Sequence, residues 1–109
     1  MSQEYDWLVQ TPANAADRET RINVRPIHLV HNKPLIEGRK LLFGGPSLTH
    51  QPEGPDADLP VNGSIMLVRA ASAEEVRDMI RQDPYAQAGF WDAEKAIITP
   101  FRCVVRKQG

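Results

Sequence analysis

Cysteine occurs once, at Cys103, in a chain of 109 residues, so the sequence carries no internal disulfide and no cysteine-built metal site. The apolar run around Cys103 predicts an inert, buried thiol rather than a nucleophile. Net charge is also scarce. Thirteen Lys and Arg against 14 Asp and Glu leave a formal charge of -1, and the basic residues are scattered, so the clustered positive field behind most nucleic-acid affinity is missing. Nucleic acid is therefore not an expected partner. No apolar run nears the roughly 20 residues of a membrane-spanning helix, and the first residues, Met1-Ser2-Gln3-Glu4-Tyr5-Asp6, are acidic and polar where a leader peptide is basic and then apolar. The expectation is a cytoplasmic protein with no membrane partner. Repeats and low-complexity tracts are absent. Gly44-Gly45-Pro46 lacks the spacing and the following helix of a phosphate-cradling loop.

What is present is an ordinary globular balance, 41% hydrophobic and 25% charged, in a length that favours one domain over residues 1–109. Residues 5–10 read as a strand that Thr11-Pro12-Ala13-Asn14 breaks. Residues 15–33 are rich in helix formers but meet Pro26 and Pro34, which predicts a kinked helix or two in sequence. On it Ile22, Leu29 and Val30 form the expected inward face, with Val24, His28, His31 and Leu35 on an adjoining stripe. Gly38 ends the helix, and Leu41-Leu42-Phe43 is a short strand closing on Gly44-Gly45-Pro46.

Residues 46–62, with Pro46, Pro52, Gly54, Pro55, Asp56, Asp58 and Pro60, predict a long surface loop, either a lid or a plain connector. Asn62-Gly63 reads as a turn into an apolar, central strand over 64–70. Ser72-Ala73-Glu74-Glu75 is a capping box opening a helix whose buried face is Val76, Met79 and Ile80. Asp83-Pro84 ends it, a short helical turn follows over 84–88, Gly89 stops that turn, and residues 95–105 give a last strand that Pro100 assigns to an edge or a bulge. The order βαββαβ predicts a ferredoxin-like α+β fold, a four-stranded antiparallel sheet with both helices on one face. The other face is left apolar, and pairing of two sheets in a homodimer would cover it.

Two short segments carry the chemistry, Arg25-Pro26-Ile27-His28-Leu29 and Asp83-Pro84-Tyr85. His28 suits proton transfer near neutral pH, although a core-edge histidine bonded to a carbonyl has the same spacing. Asp83 is placed to cap the turn after it, and one carboxylate oxygen can do so while the other faces an imidazole. His31 and His50 lack a fixed third ligand and read as solvated. Arg25 can orient an anion or serve as a surface cation. Gly44-Gly45 offers backbone N–H donors or a simple strand-end turn, and Tyr85, Phe90 and Trp91 either wall a pocket for a ring or pack the helix end.

In this order, Arg25 to Leu29, then Gly38 and a strand ending in Gly44-Gly45-Pro46, then Asp83-Pro84-Tyr85 with Gly89, the chain resembles the YCII-related domain family over nearly its whole length. The resemblance implies a dimeric α+β barrel and a pocket whose catalytic pair corresponds to His28 and Asp83. The family includes a dehydrochlorinase of a chlorinated hydroxyquinol, its barrel is similar to that of muconolactone isomerases, and most members have no assigned reaction. Pro34 and the long loop after Pro46 depart from its usual pattern. Two readings follow. One is a small cofactor-independent lyase or isomerase acting on a cyclic or aromatic molecule, with His28 and Asp83 catalytic and Arg25, Gly44, Gly45, Pro46, Tyr85 and Phe90 lining the substrate. The other is a non-catalytic small-molecule binding or dimerisation module. Neither calls for a metal, a flavin or a nicotinamide.

Overall fold

Strand β1, Tyr5–Pro12, buries Val9 and Thr11, exposes Gln10 and Pro12, and runs antiparallel to two neighbours, β3 (Val61–Ala70) and β4 (Ile97–Phe101). Strand β2, Leu41–Leu48, pairs with the far side of β3, which gives the order β2-β3-β1-β4 in a computed structural model that describes residues 3–55 and 58–105. Helix α1 (Arg18–Glu37) joins β1 to β2, and α2 (Ala73–Gln82), α3 (Pro84–Gln87) and a 3-10 turn (Ala93–Lys95) join β3 to β4. This is the ferredoxin-like α+β arrangement. Val9, Met66, Val68 and Ala70 from one sheet face form a core with Val76 and Ile80 of α2 and with Tyr85, Phe90 and Trp91. The opposite sheet face leaves Ile65, Ile97 and Phe101 exposed.

Local chemistry accounts for the short helices. The Ser72 side chain accepts from the Glu75 N–H at 3.1 Å, and Asp83, extended at φ -66° and ψ 138°, ends α2 and caps α3. The glycine at 89 takes φ +82°, the left-handed conformation that stops the turn. From there Asn14 N–H to Phe90 O at 2.9 Å and Asp92 N–H to Pro12 O at 3.0 Å pin residues 90–92 to the end of β1.

The structure corrects several expectations. Of the expected kinked helix or two in sequence, α1 is one element through both prolines. Pro26 and Pro34 deprive the carbonyls of residues 22 and 30 of their partners, but Ile22 and Val30 are 44% and 72% exposed, so water can solvate them. The inward stripe of α1 is not Ile22, Leu29 and Val30, all exposed, but the half-buried row of Arg21, Val24, His28, His31, Asn32 and Leu35. Gly44-Gly45-Pro46 does not close β2; it lies within it, opposite Met66, Ile65 and Ser64, and Pro46 is tolerated because β2 is an edge strand.

Asn62-Gly63 is likewise inside β3, where a side chain on Gly63 would stand 2.4 Å from the Thr11 carbonyl oxygen. The loop is correspondingly shorter, residues 49–60; Asp56 and Ala57 lie outside the described residues. The last strand begins only at Ile97, after the 3-10 turn, and Cys103 falls beyond it, half-buried rather than sealed in a strand. Among the described residues no helix is long and apolar enough to cross a membrane.

Candidate active site

Four polar residues of α1, Arg21, Arg25, His28 and Asn32, recur at the spacing that stacks side chains on one helix face. All four line a cavity of about 450 Å³ between α1 and β2, walled on its other sides by Phe43 to Pro46, Ser64, Met66, Tyr85, Phe90 and Trp91. The 49–60 loop contributes Leu59.

His28 is the best-held side chain in it. Its Nδ1 lies 2.9 Å from both carboxylate oxygens of Asp83, with 13% and 6% of the two side chains exposed. Asp83 in turn accepts the Tyr85 N–H at 2.9 Å. An ionised carboxylate only accepts, so Nδ1 carries the ring proton and Nε2 is left with its lone pair. The Asn32 amide nitrogen meets Nε2 at 3.1 Å and donates to it. Tyr85 stacks on the imidazole at 4.2 Å between centroids, and the Trp91 ring meets it edge-on at 5.4 Å. An imidazole so clamped has a fixed tautomer and a fixed direction for its basic nitrogen.

The second electrostatic feature is positive. Arg18, at the start of α1, is paired with Asp58 at 2.9 Å. No carboxylate among the described residues pairs with Arg21 or Arg25. Burial raises the Tyr85 phenol above its ordinary range, Arg21 and Arg25 pull it back down, and Asp83 adds to the rise. Both guanidinium groups thus act on the cavity's aromatic wall.

The residues named from the sequence as catalytic or substrate-lining fall here: His28 and Asp83 in contact, and Arg25, Gly44, Gly45, Pro46, Tyr85 and Phe90 around the cavity. Gly44 and Gly45, offered as backbone N–H donors or a strand-end turn, lie within β2 on the cavity wall. Successive N–H groups of a strand point to opposite sides, so at most one of the two can face a given atom. A side chain on Gly44 would approach Met66 Cγ to 3.2 Å, whereas Gly45 has open space beside it. His50 hydrogen-bonds Thr49 on the exposed loop, and no group of three His, Cys, Asp or Glu side chains able to hold a metal occurs among the described residues. Sequence reasoning missed Arg21, Asn32 and Ser64. The signal for the first two was the three- and four-residue spacing around Arg25 and His28.

A family model described as the YCII-related domain matches residues 6–102. The chain is 62% identical over 89 residues to the derivative of benzaldehyde biosynthesis cluster protein C of Emericella nidulans, covering 82% of this chain and 91% of the relative. It is 36% identical over 111 residues to the xenovulene A biosynthesis cluster protein asL2 of Sarocladium schorii, covering 97% and 95%. Among solved structures, the 5-chloro-2-hydroxyhydroquinone dehydrochlorinase of Burkholderia phenoliruptrix AC1100, in complex with 2,5-dihydroxybenzoquinone, superimposes with a TM-score of 0.72 at 26% identity. That match covers 89% of this chain and 93% of the other.

Proposed function

The chain belongs to the YCII-related domain family, and from that premise we propose that it is a small single-domain enzyme that moves a proton on a cyclic or aromatic small molecule, as a lyase or isomerase does. The observation that carries the reading is the His28–Asp83 contact at 2.9 Å on the wall of a ring-sized cavity. His28 Nε2 takes a proton from an acidic O–H or C–H, and the N–H at Nδ1 stays bonded to Asp83, whose charge stabilises the imidazolium that forms. The Tyr85 ring beneath favours that cation further. The imidazolium then returns the proton, to another ring position in an isomerisation or to a leaving group in an elimination. Asn32 occupies the in-plane direction of Nε2 and yields to substrate.

The biosynthesis-cluster relatives and the dehydrochlorinase bound to a hydroxylated quinone support a small-molecule, ring-shaped substrate. A panel of hydroxylated aromatic and enolisable cyclic compounds, incubated with the protein in D2O and followed by proton NMR, tests the reading. Catalysed exchange at carbon with at least one compound, abolished in His28→Asn, is the expected result. A panel with no exchange, or exchange indifferent to His28→Asn, sinks it in favour of a binding module.

The same reading includes a homodimer. On the sheet face away from the helices, Ile65 and Ile97 flank Gln10, with Phe101 exposed and Leu8 half-buried beside them, an apolar surface of the kind that a second sheet covers.

A further inference from the structure

Resting on that proton-transfer reading, we propose that Arg21 and Arg25 form an anion subsite at one end of the cavity, so that the ligand is a ring carboxylic acid whose reacting hydroxyl or C–H lies on the opposite side of the ring. Three observations lead there. Arg18, Arg21 and Arg25 follow one another along α1, yet only Arg18 is neutralised, by Asp58 at 2.9 Å, while Arg21 and Arg25 line the cavity without a carboxylate partner among the described residues. Both guanidinium groups lower the affinity of the Tyr85 phenol for its proton, which puts their charge within reach of the cavity's aromatic wall. Beyond His28, Asn32 and Ser64, most of the remaining wall, Leu29, Ile36, Phe43, Met66, Phe90 and Trp91, is apolar. Cationic charge facing such a wall favours an anion attached to a hydrophobic body.

The spacing sets the shape of that body. Along an α-helix Arg25 precedes His28 by roughly 4.5 Å and Arg21 precedes it by roughly 10 Å of axial rise. An anionic group held between the two arginines is therefore separated from Nε2 by about one six-membered ring with a substituent at each end. The start of α1 adds little for a phosphate. Of the N–H groups that a helix start would offer to phosphate, that of Thr20 is taken by Asp17, whose side chain accepts it at 3.2 Å. Two planar guanidinium groups match a planar carboxylate.

The test compares 4-hydroxybenzoate with its uncharged counterpart 4-hydroxybenzyl alcohol at neutral pH by calorimetry, on the parent, Arg18→Gln, the double variant Arg21→Gln with Arg25→Gln, and His28→Asn. The parent and Arg18→Gln bind the acid at least about tenfold more tightly than the alcohol, and the double variant loses the difference. His28→Asn keeps it, so a failed proton transfer and a failed anion subsite are separable. Equal affinity, no saturable binding of the acid, or a preference that persists in the double variant overturns the proposal. Circular dichroism of the double variant shows whether it is folded, and the single variants, each expected to lose part of the preference, decide the matter if it is not.

Discussion

Asp83 Oδ1 is shared between His28 and the start of α3: it lies 2.9 Å from the His28 Nδ1 and accepts the Tyr85 N–H at 2.9 Å. The carboxylate that holds the imidazole is thus itself fixed by a helix cap, and the two roles can be separated by substitution. Asp83→Asn retains a good capping side chain but removes the charge that stabilises the imidazolium. It is expected to cut catalysed exchange by roughly 10²–10⁴-fold while leaving the urea midpoint nearly unchanged. Asp83→Ala loses the cap as well and is expected to cost about 1 kcal/mol more in the same unfolding measurement. Equal activity in Asp83→Asn and the parent would remove Asp83 from the mechanism.

Asn32 donates to the one nitrogen of His28 that can act as a base. Freed of that partner, Nε2 in Asn32→Ala is expected to react faster with diethyl pyrocarbonate than in the parent, followed by mass spectrometry at His28. Unchanged acylation would show that the amide contact has no bearing on the base.

The Tyr85 phenol reports the two arginines independently of any ligand. Burial is the larger influence and raises its pKa, Arg21 and Arg25 lower it, and Asp83 raises it. Arg21→Gln and Arg25→Gln are each expected to move the Tyr85 tyrosinate absorbance transition to still higher pH; no movement in either would place their charge elsewhere. The sign for stability follows. A phenol whose folded value exceeds its unfolded one contributes stability that is full below the unfolded value and is lost as pH rises through the folded value.

What the sequence made legible was local. Ser72 and Glu75, and Asp83 before Pro84, announce helix ends through contacts within a few residues, and the element order they frame leads to the right topology. What it hid was decided by distant partners. Gly44-Gly45-Pro46 and Asn62-Gly63 look like turns but are strand because each faces the other strand across the β2–β3 ladder. The face of α1 was misread because its most apolar stripe, with Ile22 and Val30, is exposed. The stripe turned inward carries Arg21, His28 and Asn32, and a helix wall that lines a polar-ended cavity breaks the pattern that a plain core would impose. His28 and Asp83, 55 residues apart, were brought together by resemblance rather than by spacing.

The exposed sheet face gives a further expected outcome. Ile65 stands at the centre of the row formed by Gly45, Gln10 and Ile97 and is 38% exposed. The parent is expected to sediment as a dimer and Ile65→Lys as a folded monomer, since a buried, unpaired ammonium at a two-fold interface is costly. A monomeric parent would contradict the sheet-to-sheet pairing.

The most direct test of the central claim is the protonation pattern of the His28 ring, read by nitrogen-15 NMR correlation through its carbon-bound protons at a pH where the ring is neutral. The parent is expected to carry its proton on Nδ1, with Nε2 as the hydrogen-bonded lone-pair nitrogen. In Asp83→Ser, which keeps a capping hydroxyl but no carboxylate, the proton is expected to shift toward Nε2. A parent ring already protonated on Nε2, or a pattern identical in Asp83→Ser, would contradict a base aimed into the cavity by Asp83.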